Sequence, residues 1–90
     1  NYPNPFNPDT WIPFQISTGS EVILTIYNLQ GQIIRQIDLG FKPAGFYVRK
    51  DRAIYWDGRS QNGERVASGI YVYQLRAGDF SESRKLALIK

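Results

Sequence analysis

Apolar residues in several segments of this chain recur at every second position. Ile12, Phe14 and Ile16 alternate with Trp11, Pro13 and Gln15. Val22, Leu24 and Ile26 do the same, with Thr25 and Tyr27 on the opposite parity. Tyr71, Tyr73, Leu75 and Ala77 share one face, while Gln74 and Arg76 mark the other as the outer one. A period of two puts alternate side chains on opposite sides of an extended backbone, and no window of about 12 residues carries the 3.6 period of a helix. The chain is therefore confined to short strands with one buried face each.

The pattern predicts strands over 11–17, 21–28, 32–39, 46–48, 53–56, 69–77 and 80–89. Turn residues separate them: Ser17-Thr18-Gly19-Ser20, Asn28-Leu29-Gln30-Gly31, a Gly40 to Gly45 loop, Asp57 through Gly63, and Ala77-Gly78-Asp79. Pro13 lacks a backbone donor and implies an edge position or a bulge. In the last strand Phe80, Leu86 and Leu88 share one parity and Ala87 and Ile89 the other, so the chain end is expected to be buried on both faces. Seven strands with turn signals every roughly 8–12 residues point to an all-β, immunoglobulin-like antiparallel β-sandwich. Trp56 is the expected core aromatic. The aromatic content of 14% agrees with strands over helices.

Residues 1–10 hold three of the five prolines. Each fixes its own φ and steers its predecessor away from the helical region, so this segment reads as an extended lead-in. Tyr2 and Phe6 are placed to pin it. The domain proper is expected to span 11–90. There is no methionine, and Asn1 reads as a domain boundary.

Composition excludes several chemistries. The chain has no cysteine and no histidine, which removes disulfides, thiolate metal sites and the commonest general base and zinc ligand. No cofactor is expected. A net charge of +3 is a mild bias. The tight basic cluster Arg49, Lys50 and Arg52 is interrupted by Asp51 and reads as a solvated loop, so no nucleic-acid surface is expected. No run approaches the roughly 20 apolar residues of a membrane span. Asp57 and Glu64 flank one loop and can be set out as an acid–base pair, but Asp-Gly is ordinary turn chemistry. Asp57, Asn62 and Glu64 offer oxygens to a calcium ion at a spacing that follows no loop pattern. Trp11, Tyr27, Tyr47 and Tyr55 define a glycan-binding alternative, which requires exposed aromatics in one plane.

The ordered motifs add a resemblance. Tyr2-Pro3-Asn4-Pro5-Phe6-Asn7-Pro8, Val22 through Asn28, Gly31-Gln32, Pro43-Ala44-Gly45, Trp56-Asp57-Gly58-Arg59, Gly63 through Tyr73, Ala77 through Phe80 and Arg84 through Lys90 follow one another in this order. Together they resemble the type A C-terminal sorting domain of the type IX secretion system. They are also similar to the immunoglobulin-like domain of flagellar hook-capping proteins. The charged segment 49–52 departs from that pattern as an apparent insertion.

The resemblance implies a non-catalytic domain that directs a larger secreted protein across the outer membrane to the cell surface. Its implied partners are the outer-membrane secretion machinery and a cargo domain upstream in the same chain, with the domain itself a monomer. Gly69, Ile70 and Tyr71 match the family's glycine-aromatic motif, although a turn into the strand and a core-facing Tyr71 explain them structurally. Lys85 and Lys90 are the implied translocon contacts, and plain edge lysines are the competing reading. A carbohydrate-binding or spacer module of a secreted multidomain protein is the alternative function.

Overall fold

A computed structural model describes residues 2–3 and 9–88, with the backbone alone for Tyr2 and Pro3. The described residues form nine strands: β1 (Tyr2–Pro3), β2 (Thr10–Ile12), β3 (Phe14–Ile16), β4 (Ser20–Tyr27), β5 (Ile33–Lys42), β6 (Gly45–Tyr47), β7 (Ile54–Trp56), β8 (Gly69–Ala77) and β9 (Phe80–Leu88). No helix occurs among the described residues. All pairings are antiparallel. One layer is a four-stranded sheet in the order β5-β4-β8-β9, and the other is built from β1-β2-β7 and β3-β6. The two layers share one core, as expected for an immunoglobulin-like sandwich.

Alternation explains the burial. Val22, Leu24 and Ile26 from β4, with Tyr71, Tyr73, Leu75 and Ala77 from β8, meet Ile12, Phe14, Ile16, Ile54 and Trp56 from the other layer. Trp56 is 1% exposed and meets the Tyr71 ring edge-on, with ring centroids 5.8 Å apart. Its indole N–H donates to the Arg59 carbonyl at 2.8 Å, which settles the one polar group that this side chain carries into the core.

Four details differ from the sequence expectation. The strand read as continuous over 11–17 is two strands that part at Pro13. Thr10–Ile12 pairs with β7, whereas Phe14–Ile16 pairs with β6. The proline removes a ladder donor at the point where the neighbour changes, while the inward parity of Ile12, Phe14 and Ile16 is kept. Second, β5 runs on through Gly40 to Lys42, where a loop was expected. Leu39 is an extra residue between the Val22–Gly40 and Ile23–Asp38 pairs, a β-bulge with Gly40 at φ 70° and its N–H held by the Asp38 carboxylate at 2.9 Å. Third, part of the lead-in joins the sheet, with Tyr2 opposite Trp11 and Pro3 opposite Thr10. Fourth, Phe80 has the parity of Leu86 and Leu88 but is 49% exposed, because the sandwich is open beside it. Phe6, Ile89 and Lys90 lie outside the described residues.

The two edges of the large sheet are treated differently. The loop after β7 folds back onto β5: the Gln61 N–H donates to the Ile34 carbonyl at 2.8 Å, and the Gln36 N–H donates to the Gln61 side-chain oxygen at 2.9 Å. That loop covers part of an edge which would otherwise present unpaired backbone groups. At the other edge, no described strand pairs with the outer side of β9.

Candidate partner-binding surface

The β8–β9 hairpin carries most of the motif residues, and its geometry begins with its turn. Ala77 pairs with Phe80 across Gly78-Asp79. Gly78 has φ 62° and Asp79 has no positive φ, the signature of a II′ turn that matches the twist of the flanking strands. The register that follows is unbroken for nine pairs, from Ala77–Phe80 to Gly69–Leu88.

This register separates the motif residues onto two faces. Tyr71 points into the core, 7% exposed, and its hydroxyl donates to the Ala67 carbonyl at 2.6 Å. Burial pushes its phenol above the ordinary value. The hydroxyl reaches back four residues and ties the incoming loop to the strand, in the manner of a tyrosine corner. Tyr47 repeats the device at β6, donating to the Pro43 carbonyl at 2.6 Å. Gly69 opens β8 at φ 156°, a conformation that L side chains rarely adopt, and an added Cβ there would meet open space. The glycine is set by its backbone and not by crowding.

Ile70 and Lys85 lie on the opposite, outer face. Ile70 is 46% exposed and Lys85 is exposed. Pairing extends this face into a row across all four strands: Ile33 opposite Tyr27, Tyr27 opposite Val72, and Val72 opposite Lys85. Ile33 is 62% exposed, and Tyr27 and Val72 are half-buried. An apolar stripe thus ends in a lysine. The sequence expectation names Ile70 and Lys85, and the strand register sets Ile33, Tyr27 and Val72 on the same face. Alternation places Tyr27 and Val72 outward, the register shift beside Ile34 turns Ile33 to the same face, and only the strand register makes the three neighbours. Lys90 lies outside the described residues.

The Trp56-Asp57-Gly58-Arg59 loop is built to hold shape. The Asp57 carboxylate accepts the Arg59 N–H at 3.0 Å and the Arg35 guanidinium at 3.3 Å. The same guanidinium reaches the Arg59 carbonyl at 3.2 Å. Asp57 is therefore engaged in closing a turn, while Glu64 is exposed. Among the described residues no group of three or more His, Cys, Asp or Glu converges on a common point.

The four aromatics of the glycan alternative do not form one plane. Tyr47 is 4% exposed and stacks on Phe14, with centroids 4.5 Å apart and planes 3° apart. Tyr27 belongs to the outer face of the large sheet. Trp11 and Tyr55 are neighbours on the other layer, 5.4 Å apart and tilted by 53°. Lys50 sits 4.4 Å above the Trp11 ring. The Tyr55 hydroxyl donates to the Asp9 carboxylate at 2.7 Å, and that bond, with burial and the nearby negative charge, holds its phenol up to about 12.

Comparison with known proteins places the fold. No curated protein matches the sequence. The structure is similar to that of FLGD from P. aeruginosa, with TM-score 0.69 and 20% identity, over 88% of this chain and 58% of that one. It is also similar to dimeric latent PorU from Porphyromonas gingivalis, with TM-score 0.60 and 18% identity, over 98% of this chain and 9% of that one. The chain thus spans less than two thirds of either relative. The family model of the FlgD Ig-like domain matches residues 12–79. The chain belongs to the FlgD Ig-like domain family.

Proposed function

We propose that this chain is a non-catalytic sorting and anchoring domain that directs a larger secreted protein across the outer membrane to the cell surface. The observation that carries the reading is one of proportion. The sandwich corresponds, over 98% of its length, to 9% of a much larger chain, latent PorU. A fold of this size recurs there as a small part of something else. The ordered motifs from Tyr2 to Lys90, similar to those of type IX C-terminal sorting domains, support the same reading.

In this reading the outer-membrane machinery engages the β8–β9 hairpin. Ile70 supplies exposed apolar surface and Lys85 a cation at the end of the Ile33–Tyr27–Val72 row. Lys90 adds a second cation to the sequence that follows. Gly69 and Tyr71 act by fixing the strand entry that presents Ile70. The cargo is an upstream domain of the same chain. The test is fusion of residues 1–90 behind a reporter in a host with this secretion route. The reporter is expected on the cell surface or in the medium. Retention in the periplasm with the domain folded would refute the sorting role. A paired change, Ile70→Ser with Lys85→Glu, is expected to reduce export without lowering the melting temperature.

A second reading has its own support. The family match to the FlgD Ig-like domain favours a spacer or assembly module. A fusion that stays in the periplasm yet incorporates into a larger assembly would favour that reading.

A further inference from the structure

The outer edge of β9 has no partner among the described strands, and its charges are arranged in a particular way. Ala77 and Phe80 close a two-residue turn, so they exchange hydrogen bonds with each other. In an antiparallel pair such bonding alternates along the strand. Glu82 and Arg84 therefore bond back to β8, and Ser81, Ser83 and Lys85 present their N–H and C=O groups to the open edge. The side chains of Glu82 and Arg84 have the inward parity. They do not reach the core. Instead they line a groove of about 890 Å³ beside β3, together with Phe14, Ile16 and Phe80. They also bridge each other at 2.6 Å while 39% and 64% exposed.

We propose that this edge recognises a second copy of the chain, the two β9 strands pairing antiparallel about Ser83. Geometry and charge select that register from its neighbours. Outward-bonding residues must face outward-bonding residues, so every allowed register is centred on a residue, and the ones that set the two charged residues against each other or against themselves are centred on 82, 83 or 84. Centring on Glu82 sets carboxylate against carboxylate. Centring on Arg84 sets guanidinium against guanidinium. Centring on Ser83 sets Glu82 against Arg84 of the other copy, twice, and pairs Ser81 with Lys85 on either side. The backbone bonds of three residues on each strand are then satisfied together. The groove leaves room for the partner's Glu82 and Arg84 side chains.

Inward-pointing charges on an edge repel most incoming strands, because an apolar or like-charged partner leaves them unmatched. A second copy supplies the complement. Of the outer-face row this pairing uses only the Lys85 backbone; its specificity lies in the edge, the groove and the Glu82 and Arg84 side chains.

Sedimentation velocity on the 90-residue chain tests it, from about 10 μM to about 1 mM, since a self-association follows mass action. Reversible dimers are expected. Glu82→Arg leaves two arginines on each strand, and Arg84→Glu leaves two glutamates. Each variant alone is expected to dimerise at least about tenfold more weakly, because two attractive cross-strand pairs become repulsive. Mixing the two variants restores both complementary pairs, and association is expected to return. Loss of the bridge within one chain cannot produce that rescue. Circular dichroism confirms that each variant is folded. A wild-type chain that stays monomeric across the range would overturn the proposal. So would folded variants that associate as tightly as wild type, or a mixture no better than its components.

Discussion

Tyr47→Phe and Tyr71→Phe remove one oxygen each from two matching devices. Each hydroxyl donates to a carbonyl four residues back, Pro43 or Ala67, at 2.6 Å. Each ring stays in place after the change. The ring at 71 keeps its edge-on contact with Trp56, and the ring at 47 keeps its stack on Phe14. No cavity forms, so the cost is that of the hydrogen bond alone. The freed carbonyls belong to exposed residues and can turn to water, which caps the penalty. A net value of about 1 kcal/mol per bond follows. For a domain of this size that corresponds to a fall of about 5 °C in melting temperature.

The two corners lie in different layers and share no ring partner. Their effects are expected to add to within about 0.5 kcal/mol. Differential scanning calorimetry and urea titration of wild type, both single variants and the double variant provide the measurement. The urea slope is expected to stay constant, since neither change alters the surface exposed on unfolding. Single variants that melt with wild type would refute the corner argument. A double variant far less stable than the sum would show that the two loops are coupled. Export assays add a separate check on Tyr71. If Tyr71→Phe kept its melting temperature yet lost export, its hydroxyl would be a contact and not a brace.

Three further perturbations follow from the same geometry. Deleting 80–90 removes Leu86 and Leu88, each 1% exposed, and strips the partner from β8, so the cooperative melt is expected to vanish; a truncated chain with a sharp transition would show that β9 is an appendage. Asp57→Ala frees Arg35 and the Arg59 N–H, at an expected cost of about 1 kcal/mol by urea unfolding, small because the pair is partly exposed and screened. Alkaline titration should separate the tyrosines. The Tyr55 phenol is held up to about 12 and burial raises Tyr71 and Tyr73, so the fold favours their neutral forms. Their stabilising contribution is complete below the ordinary tyrosine value of about 10 and is lost as pH rises through the raised values. Phenolate absorbance is expected to rise late for these residues, and Asp9→Asn should bring Tyr55 back toward its ordinary value.

Alternation reports which face a residue occupies and says nothing of its neighbour. That distinction accounts for what the sequence revealed and what it hid. β8 was legible at both ends because nine residues keep one parity without interruption. Trp56 and the residues of the core were legible for the same reason. At Pro13 the parity survives while the pairing partner changes, so one expected strand became two. In β5 the bulge at Leu39–Gly40 breaks the parity itself, and a glycine inside a strand read as the start of a loop. The loop that guards the β5 edge is held there by the backbone and the side-chain oxygen of Gln61, bonds that no periodicity in the sequence announces. The outer-face row from Ile33 to Lys85 is a property of register across four strands, and no one strand's sequence contains it. The β9 edge is a partial exception. Glu82 and Arg84 hold the parity of buried residues, so two charges break an inward pattern within a single strand. A charge at a core-facing position of an edge strand either blocks pairing or specifies it, and the order Glu-Ser-Arg is complementary to itself when reversed. In this chain the core is written in parity, and the surfaces that meet partners are written where parity is broken or where register joins one strand to the next.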